Sequence, residues 1–345
     1  MTLRLLLLSL ICFTHAFSTP KWMKDQINED LAIHRKRKIT QALINKIIRL
    51  DRHAKKHSEL IRVDIKNSKI SWKRISAHVC EQRAHTIIRW LEKFVQKRTI
   101  PNMTLMISTG DGMFAPKNLP IFVPSKRRGY RGPILIPDPE AMGGYEGLAK
   151  QVEQDDVPWE KKQPIAFWRG ATTGALINSN NYLSFPRALL VQQSVMHPSL
   201  LDAKFVALVQ FFDPDALRLF KQKMPACAAK VNLATQLNYR YLVNVDGNTC
   251  AWSRVFWILK SNSLLLKQEG EWTQWYYRIL RPWKHYVPVE RNLGNIAAMI
   301  EWAKAHDQEA KAIASRANEL TKAFTQDSIE AYVELLLREY AKCLR

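Results

Sequence analysis

The 345-residue chain is poor in the residues that mark several whole classes of protein. Glycine is scarce, at 12 residues, which excludes glycine-rich and collagen-like repeats. No stretch approaches the roughly 20 consecutive apolar residues that a spanning helix needs, so a polytopic membrane protein is excluded. Five cysteines, Cys12, Cys80, Cys227, Cys250 and Cys343, are too few and too scattered for a disulfide scaffold. No two form a CxxC pair, which argues against zinc and thioredoxin-like sites and leaves buried free thiols as the expectation. The histidines carry no zinc-hydrolase signature, and neither GxSxG nor GK[ST] occurs. What is present is ample core material, with 11 Trp, 10 Tyr and 13 Phe and 47% hydrophobic residues. The length is that of about two domains.

Acidic residues are also in short supply, and unevenly so. Lys and Arg number 52 against 31 Asp and Glu, a net charge of +21. Residues 21–100 alone hold 21 basic and 8 acidic side chains, a net +13. Such a stretch attracts phosphates, whether of nucleic acid, anionic lipid or a nucleotide. It carries no nucleic-acid motif, and the aromatic residues cluster in 252–286 rather than among the basic ones. A nucleic-acid partner is therefore not expected, and a basic nucleic-acid-binding protein stays as an alternative. The charge alone leaves open a solvated surface of basic helices and an anionic membrane surface as its neighbour.

Met1–Pro20 has one Arg, an apolar run from Leu5 to Phe13, and small residues up to Ala16. That is the layout of a signal peptide or a weak membrane anchor. As an anchor, with the basic residues downstream, it would keep the body on the cytoplasmic face. As a cleaved signal it would send the body to a secretory lumen or periplasm.

Mixed i+3/i+4 apolar spacing predicts helix over 27–68 and again from Trp72 to Lys97. From Thr104 the texture changes. Candidate strands are Thr104–Ser108, Ile121–Val123, Ile134–Ile136, Ile165–Trp168, Phe205–Val209, Tyr241–Val245, Ser263–Leu266 and His285–Val287. Helices are expected to start near Tyr145, Phe185, Pro214, Ser253, Trp272, Asn292, Gln308 and Asp327. Strands alternating with helices indicate an α/β fold with parallel sheets. The expected division is a leader (1–20), a basic helical region (21–100), two α/β parts (101–160 and 161–325) and a C-terminal helix (326–345).

Loops after parallel strands are where ligands bind. Arg169, Gly170, Thr172 and Thr173 follow the strand ending at Trp168, either as a phosphate-binding turn, with the two hydroxyls as ligands, or as an ordinary strand-to-helix turn. Tyr239–Lys260 reads strand, Asn-Val-Asp-Gly-Asn turn, helix, with Ser253 and Arg254 at the helix start. An anion is favoured there by backbone N–H groups and the helix dipole. Asp111, between Gly110 and Gly112 at a strand end, is either a general base or a turn former. Lys126, Arg127, Arg128 and Arg131 form either a solvated loop or the landing site of an anionic acceptor. Asp213 and Asp215 match a metal-binding DxD, but Asp213 before Pro214 reads better as a helix cap.

Three segments in order, AFWRGATTG (166–174), YLVNVDGNTCAWSRVFWILKSNSLLLKQ (241–268) and EWTQWYYRILRPWKHYVPV (271–289), resemble glycosyltransferase family 90. The resemblance covers about residues 100–325. It implies a GT-B-like fold, two Rossmann-like domains facing across a cleft, with 101–160 on the acceptor side and 161–325 on the donor side. It implies an inverting transfer from a UDP-sugar, with no cofactor and no metal. By this resemblance Asp111 matches the family's base. Arg254, the adjoining loop from Thr249 to Ser253, and Arg187 match its donor-binding elements. Ala171 stands where many members have Ser, and Thr172 is its expected replacement. The acceptor is expected to be a glycan, lipopolysaccharide above all, with a protein hydroxyl as the alternative.

Overall fold

The computed structural model describes residues 19–54 and 58–345. The leader reading of Met1–Pro20 therefore lies, except for Thr19 and Pro20, outside the described residues, as does Cys12. Two helices come first, α1 (Lys21–Arg37) and α2 (Gln41–Arg52). A hairpin follows, β1 (Leu60–Lys66) and β2 (Lys69–Arg74), then α3 (Glu81–Lys97). Four short strands come next, β3 (Met103–Ser108), β4 (Ile121–Val123), β5 (Lys126–Arg127) and β6 (Ile134–Leu135). The helices α4 (Pro139–Met142) and α5 (Tyr145–Asp155) lead into a second series. That series runs β7 (Gln163–Ala171), α6 (Pro186–Met196), β8 (Leu201–Ala207), α7 (Pro214–Lys223), α8 (Leu233–Leu237) and β9 (Tyr239–Asn244). It continues with α9 (Trp252–Lys260), β10 (Leu264–Gln268), β11 (Trp272–Thr273) and β12 (Val287–Val289). The chain closes with α10 (Ile296–Ala305), α11 (Asp307–Thr321) and α12 (Gln326–Ala341).

These elements make two five-stranded sheets. The second, in the order β12-β10-β9-β7-β8, is parallel throughout, as the alternating strands and helices predict. Its strands alternate sides in the way pleating requires. Tyr241 and Val243 face a core shared with α6, α7, α10 and α11, while Leu242 faces the opposite core with Val255 and Ile258 of α9. The first sheet, in the order β2-β1-β3-β4-β6, is mixed: β3, β4 and β6 run parallel, and β1 pairs antiparallel with both β2 and β3. The chain is thus α/β, with two sheet-centred units. Its last helix returns to the first of them. Tyr332 of α12 donates to the Leu135 carbonyl at 3.1 Å and Tyr340 to that of Thr104 at 3.2 Å.

The basic region 21–100 is not the helical extension expected from its spacing. Helix ends at Arg52, and Leu60–Lys66 is a strand of the first sheet. Ile61, Val63 and Ile65 alternate with Arg62, Asp64 and Lys66, a period of two that suits a β-branched strand. Asn67 and Ser68 both take positive φ, 49° and 57°, which closes the two-residue hairpin and turns Trp72 back along β2. The expected helix from Trp72 accordingly begins only at Glu81. A second expected helix, from Trp272, is also absent. Trp275, Tyr276 and Tyr277 are all buried, and three successive side chains point about 100° apart on a helix, so no single helical stripe could bury them. The chain there forms β11, which pairs with β5, and one 3₁₀ turn at Tyr277–Ile279. Of the cysteines expected to be buried thiols, Cys250 and Cys343 are buried, Cys80 is half-buried, and Cys227 is exposed.

Candidate active site

A cleft of about 380 Å³ opens between the two units. One wall carries Arg83 of α3, Asp111 of the β3–β4 loop and Glu140 of α4. The other carries Thr173, Arg187 of α6, the β9–α9 loop from Gly247 to Ala251, and Trp252, Ser253, Arg254 and Trp257 of α9. The strand ends put them there. The loops after β3, β7 and β9 all leave the carboxyl ends of their strands, where an open α/β sheet presents its ligand crevice.

Asp111 is held from both sides. Arg83 donates to its Oδ1 at 3.0 Å, and Asn248, from the opposite wall, donates to its Oδ2 at 3.1 Å. Both partners of the Arg83 pair remain about a third exposed. Such a pair adds at most ~1 kcal/mol of stability, so its effect is on the direction of the carboxylate. The Arg83 guanidinium lies 4.3 Å from the Trp252 ring, which fixes it in turn. Asn248 also accepts from the Gly174 backbone at 3.1 Å. Ser125 donates to Thr249 across the cleft floor at 2.9 Å.

Arg187 and Arg254 are part-buried in the far wall, and neither forms an ion pair among the described residues. Arg187 donates to the carbonyls of Ala171 (3.0 Å) and Asp246 (3.3 Å), and Arg254 to that of Arg169 at 2.8 Å. Burial pushes the Arg187 guanidinium down to about 10, helped by the charge of Arg254, and burial alone does the same to Arg254. Both stay charged at neutral pH. Gly247 leaves room for this arrangement, since a Cβ there would stand 2.7 Å from both Arg187 Nη2 and Thr173 Oγ1. The first turn of α9, which carries Arg254, lines the same cleft. Its Ser253 N–H points into the cleft and donates to the Glu140 carboxylate at 3.2 Å. Two guanidiniums that form no ion pair among the described residues, with Asp246 and Asp111 acting on Arg187 only at longer range, stand beside a helix N-terminus, an arrangement that favours an anion.

Six of the residues expected from the sequence line this cleft: Asp111, Thr173, Arg187, Thr249, Ser253 and Arg254. Others lie elsewhere. Arg169 pairs with Asp202 at 2.7 Å and donates to the carbonyls of Trp168 and Asp202, so its guanidinium is committed within the sheet. Gly170 is required by packing, because a Cβ there would meet the Trp168 indole at 2.4 Å. Thr172 is buried, with its hydroxyl donating to the Val209 carbonyl and accepting from the Val209 N–H, at 2.8 and 2.7 Å. It welds β7 to the segment after β8 and has no hydroxyl left for a phosphate. Thr173, one residue on, lines the cleft instead.

The basic cluster after Asp111 does not gather at the cleft either. Lys126 is buried, 2.5 Å from the equally buried Asp30 of α1. It is an internal strut, and removing one partner of such a pair leaves a buried charge at a cost of about 3–5 kcal/mol. Arg127 pairs with Glu271 at 3.5 Å and lies over Trp272, while Arg128 and Arg131 are exposed. Asp213 caps α7, accepting from Ala216 N–H at 2.5 Å, and Asp215 pairs with Arg218 on the same helix. The two carboxylates are engaged as a cap and a helix-surface pair.

The family model for glycosyl transferase family 90 matches residues 15–345. The chain belongs to glycosyl transferase family 90. Among curated relatives, this family 90 chain is 29% identical over 266 residues to protein O-glucosyltransferase 1 of Mus musculus, covering 71% of this chain and 64% of that protein. It is 33% identical over 205 residues to protein O-glucosyltransferase 3 of the same species, covering 59% of this chain and 37% of that one. The O-glucosyltransferase rumi homolog of Anopheles gambiae is 30% identical over 218 residues, with 62% and 50% covered. The chain thus spans under two thirds of the length of these relatives. A solved glycosyltransferase from Rickettsia africae overlaps 57% of this chain and 52% of its own at 12% identity, with a TM-score of 0.33.

The cleft of this family 90 chain also holds residues that the sequence reading passes over: Arg83, Glu140, Asn248 and Trp257. Asn248 sits inside the β9–α9 segment already singled out, and its Asn-Thr-Cys-Ala-Trp-Ser run was the available signal. Arg83 and Glu140 have no local signal, because tertiary packing alone brings α3 and α4 to the cleft.

Proposed function

We propose that this chain transfers a sugar from a UDP-sugar to an acceptor hydroxyl, with inversion at the anomeric carbon. One observation carries the reading: a carboxylate on one wall of the cleft faces, on the other, a helix N-terminus and two guanidiniums that form no ion pair among the described residues. The donor diphosphate lies against Arg187, Arg254 and the first turn of α9. Asp111 takes the proton from the acceptor hydroxyl as its oxygen bonds to the anomeric carbon. The bond from that carbon to the diphosphate oxygen breaks on the opposite face, and its electron pair leaves with UDP. The arginines and the helix N-terminus meet the charge that develops there, which is the work a metal does in other transferases. No metal is therefore required in this reading.

The acceptor is a glycan hydroxyl, with lipopolysaccharide the leading case. A second reading, a hydroxyl of a folded protein, is favoured by the O-glucosyltransferase names of the relatives. The experiment is UDP release from a panel of UDP-sugars, with lipopolysaccharide, oligosaccharide and small protein acceptors, with and without EDTA. Release that depends on one donor and one acceptor class, and survives EDTA, is the expected result. Loss of release in EDTA would overturn the metal-free reading. UDP binding without release from any donor would overturn the transferase reading.

A further inference from the structure

A second cavity, of about 450 Å³, is larger than the cleft and lies at the elbow between α1 and α2, against the β3–β4 loop. Its rim carries Arg37, Lys38, Lys46 and Lys117, and no acidic residue lines it. Arg37 and Lys46 form no ion pair among the described residues. Lys117 is held 4.4 Å over the Tyr130 ring, and Lys38 donates to the Lys342 carbonyl at 3.0 Å. Four cationic residues line one hollow that has no acidic residue in its lining, and two of them, Arg37 and Lys46, form no ion pair among the described residues. The walls are of the opposite character, with Leu43 and Leu119 inside and Leu50 at the mouth, 45% exposed. The mount is firm, because Ile44 and Ile47 of α2 are buried in the core. The helix therefore presents Lys46 and Leu50 outward without freedom to turn them in.

We propose that this hollow takes the phosphate-bearing headgroup of an anionic lipid, with Leu50 dipping among the acyl chains. The cations match the phosphate charge. The exposed leucine beside them decides between sources, since a free phosphate has no use for an apolar contact and an interfacial site does. The cavity and Asp111 also share one loop. Asp111 lies six residues before Lys117, a span of at most about 20 Å. Binding here lays the acceptor wall of the cleft close to the lipid surface. The inference does not depend on the transferase reading, since it is tested by binding alone.

The test is co-sedimentation of the full chain with vesicles at low salt. Vesicles of phosphatidylcholine with about one third phosphatidylglycerol are compared with phosphatidylcholine alone. Binding to the first and not the second is expected. Arg37→Gln with Lys46→Gln should weaken it roughly 30-fold, about fivefold for each cation removed near an anionic surface. Both side chains are exposed, and an unchanged melting temperature checks that the variant folds. Lys221→Gln with Lys223→Gln, an equal charge loss on exposed positions of α7, should change binding by less than about threefold. Leu50→Ser should weaken it at constant charge. Equal loss in the two double variants would assign binding to the diffuse charge of the protein and overturn the site. Binding of inorganic phosphate alone with no vesicle binding, or no effect of Leu50→Ser, would overturn the lipid assignment.

Discussion

The two walls of the cleft are built by different means. On the far wall the arginines are aimed by backbone. Arg187 rests on the carbonyls of Ala171 and Asp246, and Arg254 on that of Arg169, at the ends of long strands in a fully parallel sheet. On the near wall Asp111 is aimed by side chains, Arg83 and Asn248, and one of these belongs to the opposite wall. A group held by main chain inherits the rigidity of its sheet, whereas one held by side chains depends on their packing. The arginine wall is thus preformed, while the position of the carboxylate depends on the two units being brought together. Binding and turnover should therefore respond differently to substitutions on the two walls.

The sharpest separation comes from Asp111→Asn. The amide keeps the shape and loses the base, so transfer should fall by about 10²–10⁴ while UDP affinity stays within about twofold. Single-turnover transfer and calorimetric UDP binding measure the two. Transfer near the wild-type rate would remove Asp111 from its role. On the far wall, Arg254→Gln should cost about 10²–10³ in rate, and it should also weaken UDP, because the same guanidinium meets the diphosphate before and during the reaction. If UDP binding were unchanged, the diphosphate would have to lie elsewhere.

Arg83→Gln tests whether side-chain aiming matters. A displacement of the carboxylate by about 1 Å is enough to lose roughly 10- to 100-fold in rate. The loss should appear mainly in kcat, with the donor KM changed little, since Arg83 hydrogen-bonds the carboxylate and meets the far wall only through the Trp252 ring, not through its arginines. Arg83→Lys should recover part of it, because the ammonium can still reach Oδ1. A rise in donor KM at constant kcat would make Arg83 a binding residue instead.

The same contrast explains what could be read from the sequence. The far wall follows from contiguous segments, a strand, a turn and a helix start, so Arg254, Ser253 and Thr249 were visible as a unit. All strands of the parallel sheet were also visible as short apolar runs, and all but β10 have a helix after them. The near wall depends on distant partners. Arg83 lies 28 positions before Asp111 and Asn248 lies 137 after it. Lys126 looked like a free surface cation because its partner, Asp30, is 96 positions away. Thr172 and Arg169 sat in the right loop but face into the sheet, where the Val209 backbone and Asp202 hold them. The hairpin at Leu60–Arg74 was legible in principle. Its alternation of Ile and Val with charged residues was masked by helical spacing in the segment just before it.

The smallest effect is expected at Glu140, where the two walls compete for one position. Its carboxylate accepts from Ser253 N–H at the start of α9, the place a donor phosphate would take. A negative charge in the first turn of a helix is worth about 0.3–1 kcal/mol. Incoming UDP must displace that charge, so its own gain at the helix N-terminus is reduced by what Glu140 gives up. Glu140→Gln lowers the competitor's charge while leaving a group that can still accept the hydrogen bond. UDP should bind about two- to fivefold more tightly to this variant, measured by calorimetry at low ionic strength, and the advantage should shrink as salt screens the helix end. Weaker UDP binding would mean that Glu140 contacts the donor itself, and the near wall would then contribute to binding as well as to proton transfer.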